Sequence, residues 1–374
     1  MNTERQRLYE ELESKIGKTP LVKYKGEIPN GNKILVKREC DNPFGSHYDR
    51  VYVELFRHYE EAGNLVPGSK VIETTSGSAG VSFAGVGKAL GYECCVAIPA
   101  GGEKARETAI LEHLPDENHL IFTPQEQYIS GFPRFLKRFL VMHRDYFFLN
   151  HSMGLLGTKN EITLKSLEKI AEEILLETCK VSYFIPAIGN GSSVLGPARV
   201  FKDVTQILRG TIRDLIEEPS NVGMVNALDI EKAHDYLIKV IAFETFQSAV
   251  AYNLKYPGKY EKEFGIKPGT LPRHRLPGTS YPGISFPHIN TCIQKDLIHD
   301  IILVSDEKTD QEYTALTGRT DTRNLVHWDK PIVNFNDVGR TTRAGINVAL
   351  DIAKQVRGRN LVVLAYDKAE RYDS

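Results

Sequence analysis

The sequence has almost no net charge, with 47 Lys and Arg against 48 Asp and Glu and a formal charge of −1 over 374 residues. No global field draws such a chain to nucleic acid or to an anionic membrane, so any ligand must be held by a local site. No stretch approaches the ~18 apolar residues that span a bilayer, and the opening MNTERQRLYEELESKIG lacks the apolar core of a secretion signal. Five cysteines, Cys40, Cys94, Cys95, Cys179 and Cys292, include no C-x-x-C pair. Structural zinc and a disulfide framework are therefore not expected, and a reduced, cytoplasmic setting is. No two of the eleven histidines are spaced H-x-x-x-H, and no G-x-S-x-G elbow occurs, which removes the usual zinc and nucleophilic-serine signatures. Repeats and low-complexity tracts are absent, and the lone tryptophan, Trp328, is expected to pack.

What is present is ordinary globular composition, 41% hydrophobic and 25% charged, in a length that suggests roughly two domains. Apolar, β-rich runs fall at Lys33–Arg38, Lys70–Glu73, Glu93–Ile98, Tyr183–Ile188, Ile238–Phe243, Ile301–Val304 and Asn360–Ala365. Stretches of helical period separate most of them, which predicts an α/β fold of βαβ units with two lobes and doubly wound, mostly parallel sheets. Residues 203–236 and 253–275 are more polar and irregular, and read as surface excursions. Cys94 and Cys95 fall in one of the strands and read as small core residues.

Three Gly/Ser bends follow strands or precede helices, where ligands of such sheets bind. In DNPFGSHYDRVYVELFRHYEEAG, Ser46 with Asp49 resembles a capping box, and Tyr48, Val51, Tyr52, Leu55, Phe56 and Tyr59 form a helical apolar stripe that Gly63 ends. After KVIETT, the turn SGSAG opens a helix that stops at Gly91. After YFIPAI, GNGSSVLG at 189–196 does the same. Its third fingerprint position is Val194, and no Gly-Lys-Ser/Thr follows it, so it is neither a dinucleotide motif nor a Walker loop. Gly189 and Gly191 permit close backbone approach, Ser192 and Ser193 add hydroxyls, and a helix N-terminus follows. A phosphate monoester suits that cradle; a tight structural turn is the alternative reading.

Taken together, IGKTPLVKY (16–24), VKREC-DNPFGSHYDR (36–50), ETTSGSAG (73–80), GNGSSVLG (189–196), PGTSYPGISFP (277–287), GRTTRAGINVAL (339–350) and LAYDKAERYDS (364–374) resemble, in order and spacing, the fold-type II pyridoxal-phosphate enzymes. These form the tryptophan synthase β-like superfamily, and cysteine synthase and cystathionine β-synthase look closest. The resemblance implies a large lobe of residues 1–38 and 152–374, a small lobe of 39–151, and a cleft between them. It implies that Gly189, Asn190, Gly191, Ser192 and Ser193 hold the phosphate of pyridoxal 5′-phosphate, with His47 donating to it. Thr341 or Thr342 would face the pyridine nitrogen. Thr75, Ser76, Gly77, Ala79 and Gly80 would bind the carboxylate of a small amino-acid substrate. Relatives are homodimers, and the same is expected here.

Two cofactor-facing positions depart from the family. The pattern N-P-x-G-S-x-K-D-R places the Schiff-base lysine where this sequence has Tyr48, and a phenol forms no imine. The asparagine of S-G-N-T-G, which meets the cofactor's 3′-oxygen, is Ser78. Cofactor bound here would be non-covalent, and the chemistry atypical or impaired. A pseudoenzyme that binds a phosphorylated ligand, an amino acid or a protein is one alternative. Another is a repurposed, cofactor-independent pocket with Tyr48 as acid or base, which needs a cation such as His47 or Arg50 beside it. Lys37 and Lys104 are the lysines considered as substitutes, Lys37 reading rather as an ion-pair partner of Glu39.

Overall fold

A computed structural model describes residues 2–154, 157–178, 180–217, 237–280, 284, 286–320 and 325–373. Cys179, residues 281–283, Ser285 and Ser374 lie outside them. Eleven strands form among the described residues: β1 Leu21–Lys23, β2 Lys33–Lys37, β3 Lys70–Thr74, β4 Glu93–Pro99, β5 Leu120–Thr123, β6 Tyr146–Phe148, β7 Tyr183–Ile185, β8 Lys239–Thr245, β9 Asp300–Ser305, β10 Val326–His327 and β11 Asn360–Leu364. They build a seven-stranded sheet in the order β1-β2-β11-β7-β8-β9-β10 and a four-stranded sheet in the order β5-β4-β3-β6. Every pairing is parallel except the β1–β2 hairpin. Helices cover both faces, so the inner strands are apolar without alternation, as NLVVL in β11 and ECCVAIP in β4 show. All seven apolar runs are strands. The four additional ones have two to four residues each, too few to display a period.

The helices that position the site are α1 Thr3–Lys15, α2 Tyr48–Glu61, α3 Ala79–Ala89, α4 Lys104–Leu111, α5 Phe132–Met142, α6 Glu161–Glu177 and α7 Ser192–Glu217. Helix α7 corrects the reading of 203–236 as an excursion. Residues 203–217 continue one helix, which runs through Pro197 although the missing N–H there leaves the carbonyl of Ser193 without its intrahelical donor; 218–236 lie outside the described residues. The start of α2 also differs from a capping box. Asp49 Oδ2 accepts from the backbone N–H of Phe44 at 2.7 Å, and Ser46 Oγ accepts from that of Tyr48 at 3.2 Å. The carboxylate thus reaches back past Ser46 and ties down the bend rather than the helix. Val51, Tyr52, Leu55 and Phe56 are buried as the stripe predicts, each worth about 1.5–3 kcal/mol of burial. The four described cysteines are buried and unpaired, and no described helix is long and apolar enough to cross a membrane.

A buried ionic knot joins α2 to the large sheet. Arg50 forks onto Glu39 at 2.7 and 2.8 Å and onto Glu173 of α6 at 2.7 and 2.8 Å. Thr19 donates to Glu39 at 2.6 Å. Lys37, 0% exposed, pairs with Glu173 at 2.9 Å and Glu177 at 2.6 Å. The expected Lys37–Glu39 pair does not form, because the planar guanidinium of Arg50 matches the Glu39 carboxylate at two points and claims it. Burial opposes ionisation of Glu173, but Arg50 prevails and holds its carboxyl down at about 2 from an ordinary 4.5. That depression contributes stability that is complete above pH 4.5 and is lost as pH falls toward 2. Arg50→Met should cost about 3–5 kcal/mol by leaving Glu39 charged and unpaired, measured as a lower urea midpoint at pH 7, with a shrinking difference from the parent as pH falls through that window.

Candidate functional site

The C-terminal ends of the parallel strands converge on a cavity of about 370 Å³. Strand β3 delivers the turn Thr75–Ala79, the chain after β7 delivers Gly189–Ser193, and the chain after β11 delivers Tyr366 and Asp367. Helix α2 presents His47 and Tyr48 from below. Of the residues expected from sequence, His47, Tyr48, Thr75, Ser76, Gly77, Ser78 and Ala79 border the cavity, as do Gly189, Asn190, Ser193 and Thr341. Gly80, Gly191, Ser192 and Thr342 stand behind this wall. The Thr341/Thr342 alternative is thereby resolved in position. Thr341 borders the cavity and donates to the carbonyl of Pro277 at 3.2 Å, whereas Thr342 faces the sheet and accepts from the N–H of Tyr366 at 3.2 Å. Adjacent residues on a helix point ~100° apart, so only one of the two can face the cleft.

The glycines of the cradle are needed for space. A Cβ on Gly189 would lie 2.4 Å from the carbonyl oxygen of Gly278, and one on Gly191 would lie 2.8 Å from the backbone nitrogen of Ile289, at a φ of +90° that side chains avoid. Ser192 donates to Asn190 Oδ1 at 2.7 Å, which fixes the loop at the N-terminus of α7. This is a built concavity of backbone N–H groups and hydroxyls, and it fits a phosphate.

The floor of the cavity is aromatic. His47 Nε2 and Ser193 Oγ are hydrogen-bonded at 2.9 Å, and the His47 and Tyr48 rings are 4.1 Å apart between centroids. Tyr48 meets His151 edge-on at 5.1 Å, and His151 in turn bonds to Tyr52 at 3.0 Å and Glu73 at 3.1 Å. Burial lowers His47 to about 4, so the ring is neutral at pH 7. Burial pushes the Tyr48 phenol up to about 12, with Ser192, Asn190 and Ser193 pulling the other way. The phenol therefore keeps its proton at pH 7, and a neutral His47 and a committed Arg50 offer it no activating cation.

No lysine borders the cavity among the described residues. Lys37 is locked into its carboxylates, and Lys104 is exposed on α4, paired with Glu107 at 2.7 Å. The donors of the cradle and Thr341 fit pyridoxal phosphate, and no described residue of the wall is a lysine that could anchor it covalently. Sequence reasoning missed Arg106, Asp367 and His151, all of which border the cavity. Asp367 lay within a quoted motif as a charge at the end of an apolar strand; Arg106 and His151 gave no periodic or spacing signal.

The comparisons agree with this geometry. Residues 12–309 match the model of the pyridoxal-phosphate dependent enzyme family, and the chain belongs to that family, as a fold-type II member of the tryptophan synthase β-like superfamily. It is 26% identical to a putative mitochondrial cysteine synthase of Saccharomyces cerevisiae over 97% of this chain and 82% of that one. It superposes on a hydrogen sulfide-producing enzyme from Fusobacterium nucleatum with a TM-score of 0.70 at 22% identity, covering 97% and 99% of the two chains. A lysine-to-alanine variant of O-ureido-L-serine synthase bound to O-ureido-L-serine gives a TM-score of 0.67 at 19% identity, covering 96% and 91%. Family membership implies pyridoxal phosphate as the cofactor. Gly191→Ala should cost at least about 1–2 kcal/mol through the left-handed φ alone, read as a lower midpoint of urea unfolding.

Proposed function

We propose that the chain is a cysteine synthase-type amino-acid lyase or synthase pocket that holds pyridoxal phosphate and a small amino-acid ligand without a covalent link to the protein. One observation carries this reading: the cavity is lined by both the Gly189–Ser193 bend and the Thr75–Ala79 turn, and among the described residues no lysine lines it. The lysine-to-alanine neighbour supports it, since a protein of this fold altered at a lysine still carries an amino acid.

When bound, pyridoxal phosphate supplies an electron sink for cleavage at the α and β carbons of an amino acid. In this reading the backbone and hydroxyls of 189–193 hold its phosphate, the Tyr48 phenol donates to a phosphate oxygen, and neutral His47 orients Ser193. Thr341, by turning its hydroxyl from the Pro277 carbonyl, would offer the ring nitrogen a neutral group rather than a carboxylate, which would favour β-elimination or β-replacement over transamination. The turn Thr75–Gly80 orients the substrate carboxylate at the N-terminus of α3. Closure of lobe 39–151 on lobe 1–38 and 152–374 would exclude water from the cleft.

Tyr48, an aromatic at the position of the Schiff-base lysine in a cavity that Gly189, Asn190 and Ser193 also line, favours a second reading, in which the protein binds ligands without any cofactor. Titration with pyridoxal phosphate separates the two. The first reading expects saturable binding that dialysis reverses and that borohydride does not fix to the chain. Borohydride labelling of the wild type would sink it by revealing a substitute lysine, and a failure to bind would leave the second reading. Tyr48→Lys should give a yellow protein that borohydride labels at position 48.

A further inference from the structure

The departure at Ser78 has a partner across the cleft. Ser78 Oγ donates to a carboxylate oxygen of Asp367, and the Tyr372 hydroxyl donates to the same carboxylate at 2.9 and 3.1 Å. Asp367 is 5% exposed and borders the cavity. Its bonds come from neutral hydroxyls only, and no lysine or arginine among the described residues reaches it for an ion pair. Burial raises its carboxyl, with Arg106 pulling the other way from a distance. A serine in place of the longer asparagine both makes room for this carboxylate and supplies a donor to it.

On the same wall, Arg106 is 6% exposed. Its Nη1 donates to the carbonyl of Ser76 at 3.3 Å, its guanidinium lies 5.0 Å from the centroid of the Tyr372 ring, and its Nε and Nη2 are buried without a hydrogen-bond partner. Two opposite charges therefore flank one turn, Arg106 at Ser76 and Asp367 at Ser78, and no ion pair joins them. Each is costly to bury alone, and each would be satisfied by the opposite end of a ligand that carries both signs.

We propose that the cavity receives an intact α-amino acid zwitterion, with its carboxylate at the Thr75–Ala79 turn beside Arg106 and its ammonium on Asp367. In an α-amino acid one carbon separates the two charged groups, and here Arg106 and Asp367 bond to residues two apart in a single turn, Ser76 and Ser78. A wall in which no described residue has an amine to exchange for the ligand's must hold that amine as an ammonium ion, and an ammonium ion needs a counter-charge. The inference deepens the reading of Thr75–Gly80 as the carboxylate turn and rests on it.

Calorimetric titration of the full-length protein without added cofactor tests it, using L-serine, 3-hydroxypropionate, which lacks the amine, and ethanolamine, which lacks the carboxylate. L-serine should bind at least about tenfold more tightly than either analogue. Asp367→Asn should remove that preference by weakening L-serine while 3-hydroxypropionate, freed of a like charge, binds no more weakly than before, a split that general damage to the pocket would not produce. Equal binding of L-serine and 3-hydroxypropionate by the wild type, or no binding of L-serine, overturns the proposal, and this comparison decides alone if the variant does not fold. The cofactor titration is read separately. A protein that takes no pyridoxal phosphate yet discriminates L-serine from its deaminated analogue keeps this inference and loses the other, and one that takes the cofactor but binds both acids equally does the reverse.

Discussion

Everything at the cleft hangs on the double fork of Arg50. One guanidinium grips Glu39, at the end of the large sheet's β2, and Glu173, on α6, while its own helix α2 carries His47 and Tyr48 at its N-terminal end. Three elements distant in sequence are thereby fixed to one rigid, delocalised group with little rotational freedom. Lys37 adds a second cation, so that two positive groups face three carboxylates, Glu39, Glu173 and Glu177 at the rim. Such a knot contributes little net stability compared with an apolar core of the same volume, but it tolerates no loss of a member. Its effect is to set the height of α2 against the cradle, and so where the phenol of Tyr48 ends.

The seven apolar runs were legible as strands because helices cover both faces of the sheets and the runs are uninterrupted. The bends 73–80 and 189–196 were legible because glycine and serine between a strand and a helix have few other uses. What the sequence could not carry was register between distant segments. Ser78 stands out in a motif as a missing asparagine, yet its meaning depends on Asp367, 289 residues away. Thr341 and Thr342 are indistinguishable in a string and differ only by their angle on the helix Arg340–Gln355. Residues 203–217 extend a helix, α7, whose packing partners α6 and the helix Pro287–Gln294 lie elsewhere in the chain. Lys37 was legible as an ion-pair residue, but the choice of Glu173 and Glu177 over nearby Glu39 follows from competition with Arg50, which needs three dimensions to see.

The polarity of the cavity is concentrated at one end. Around the cradle and the carboxylate turn lie hydroxyls, backbone N–H groups and the opposed charges of Arg106 and Asp367, while Ile129, Phe132, Leu136, Phe148, Ile284 and Phe286 form an apolar remainder. Polar groups in such a setting act at reduced dielectric, so each contact made or missed weighs more than it would in water. The near-zero net charge of the chain is consistent with this arrangement, since recognition is carried by oriented dipoles and paired charges at short range and owes little to ionic strength.

A wall in which no described residue carries a primary amine also changes how time enters the site. A carbonyl ligand bonded to a lysine leaves only after a chemical step, whereas under the proposed non-covalent reading a guest would depart by breaking hydrogen bonds and ion pairs. Residence would then be set by a dissociation rate, and occupancy would track the surrounding concentration of the ligand at every moment.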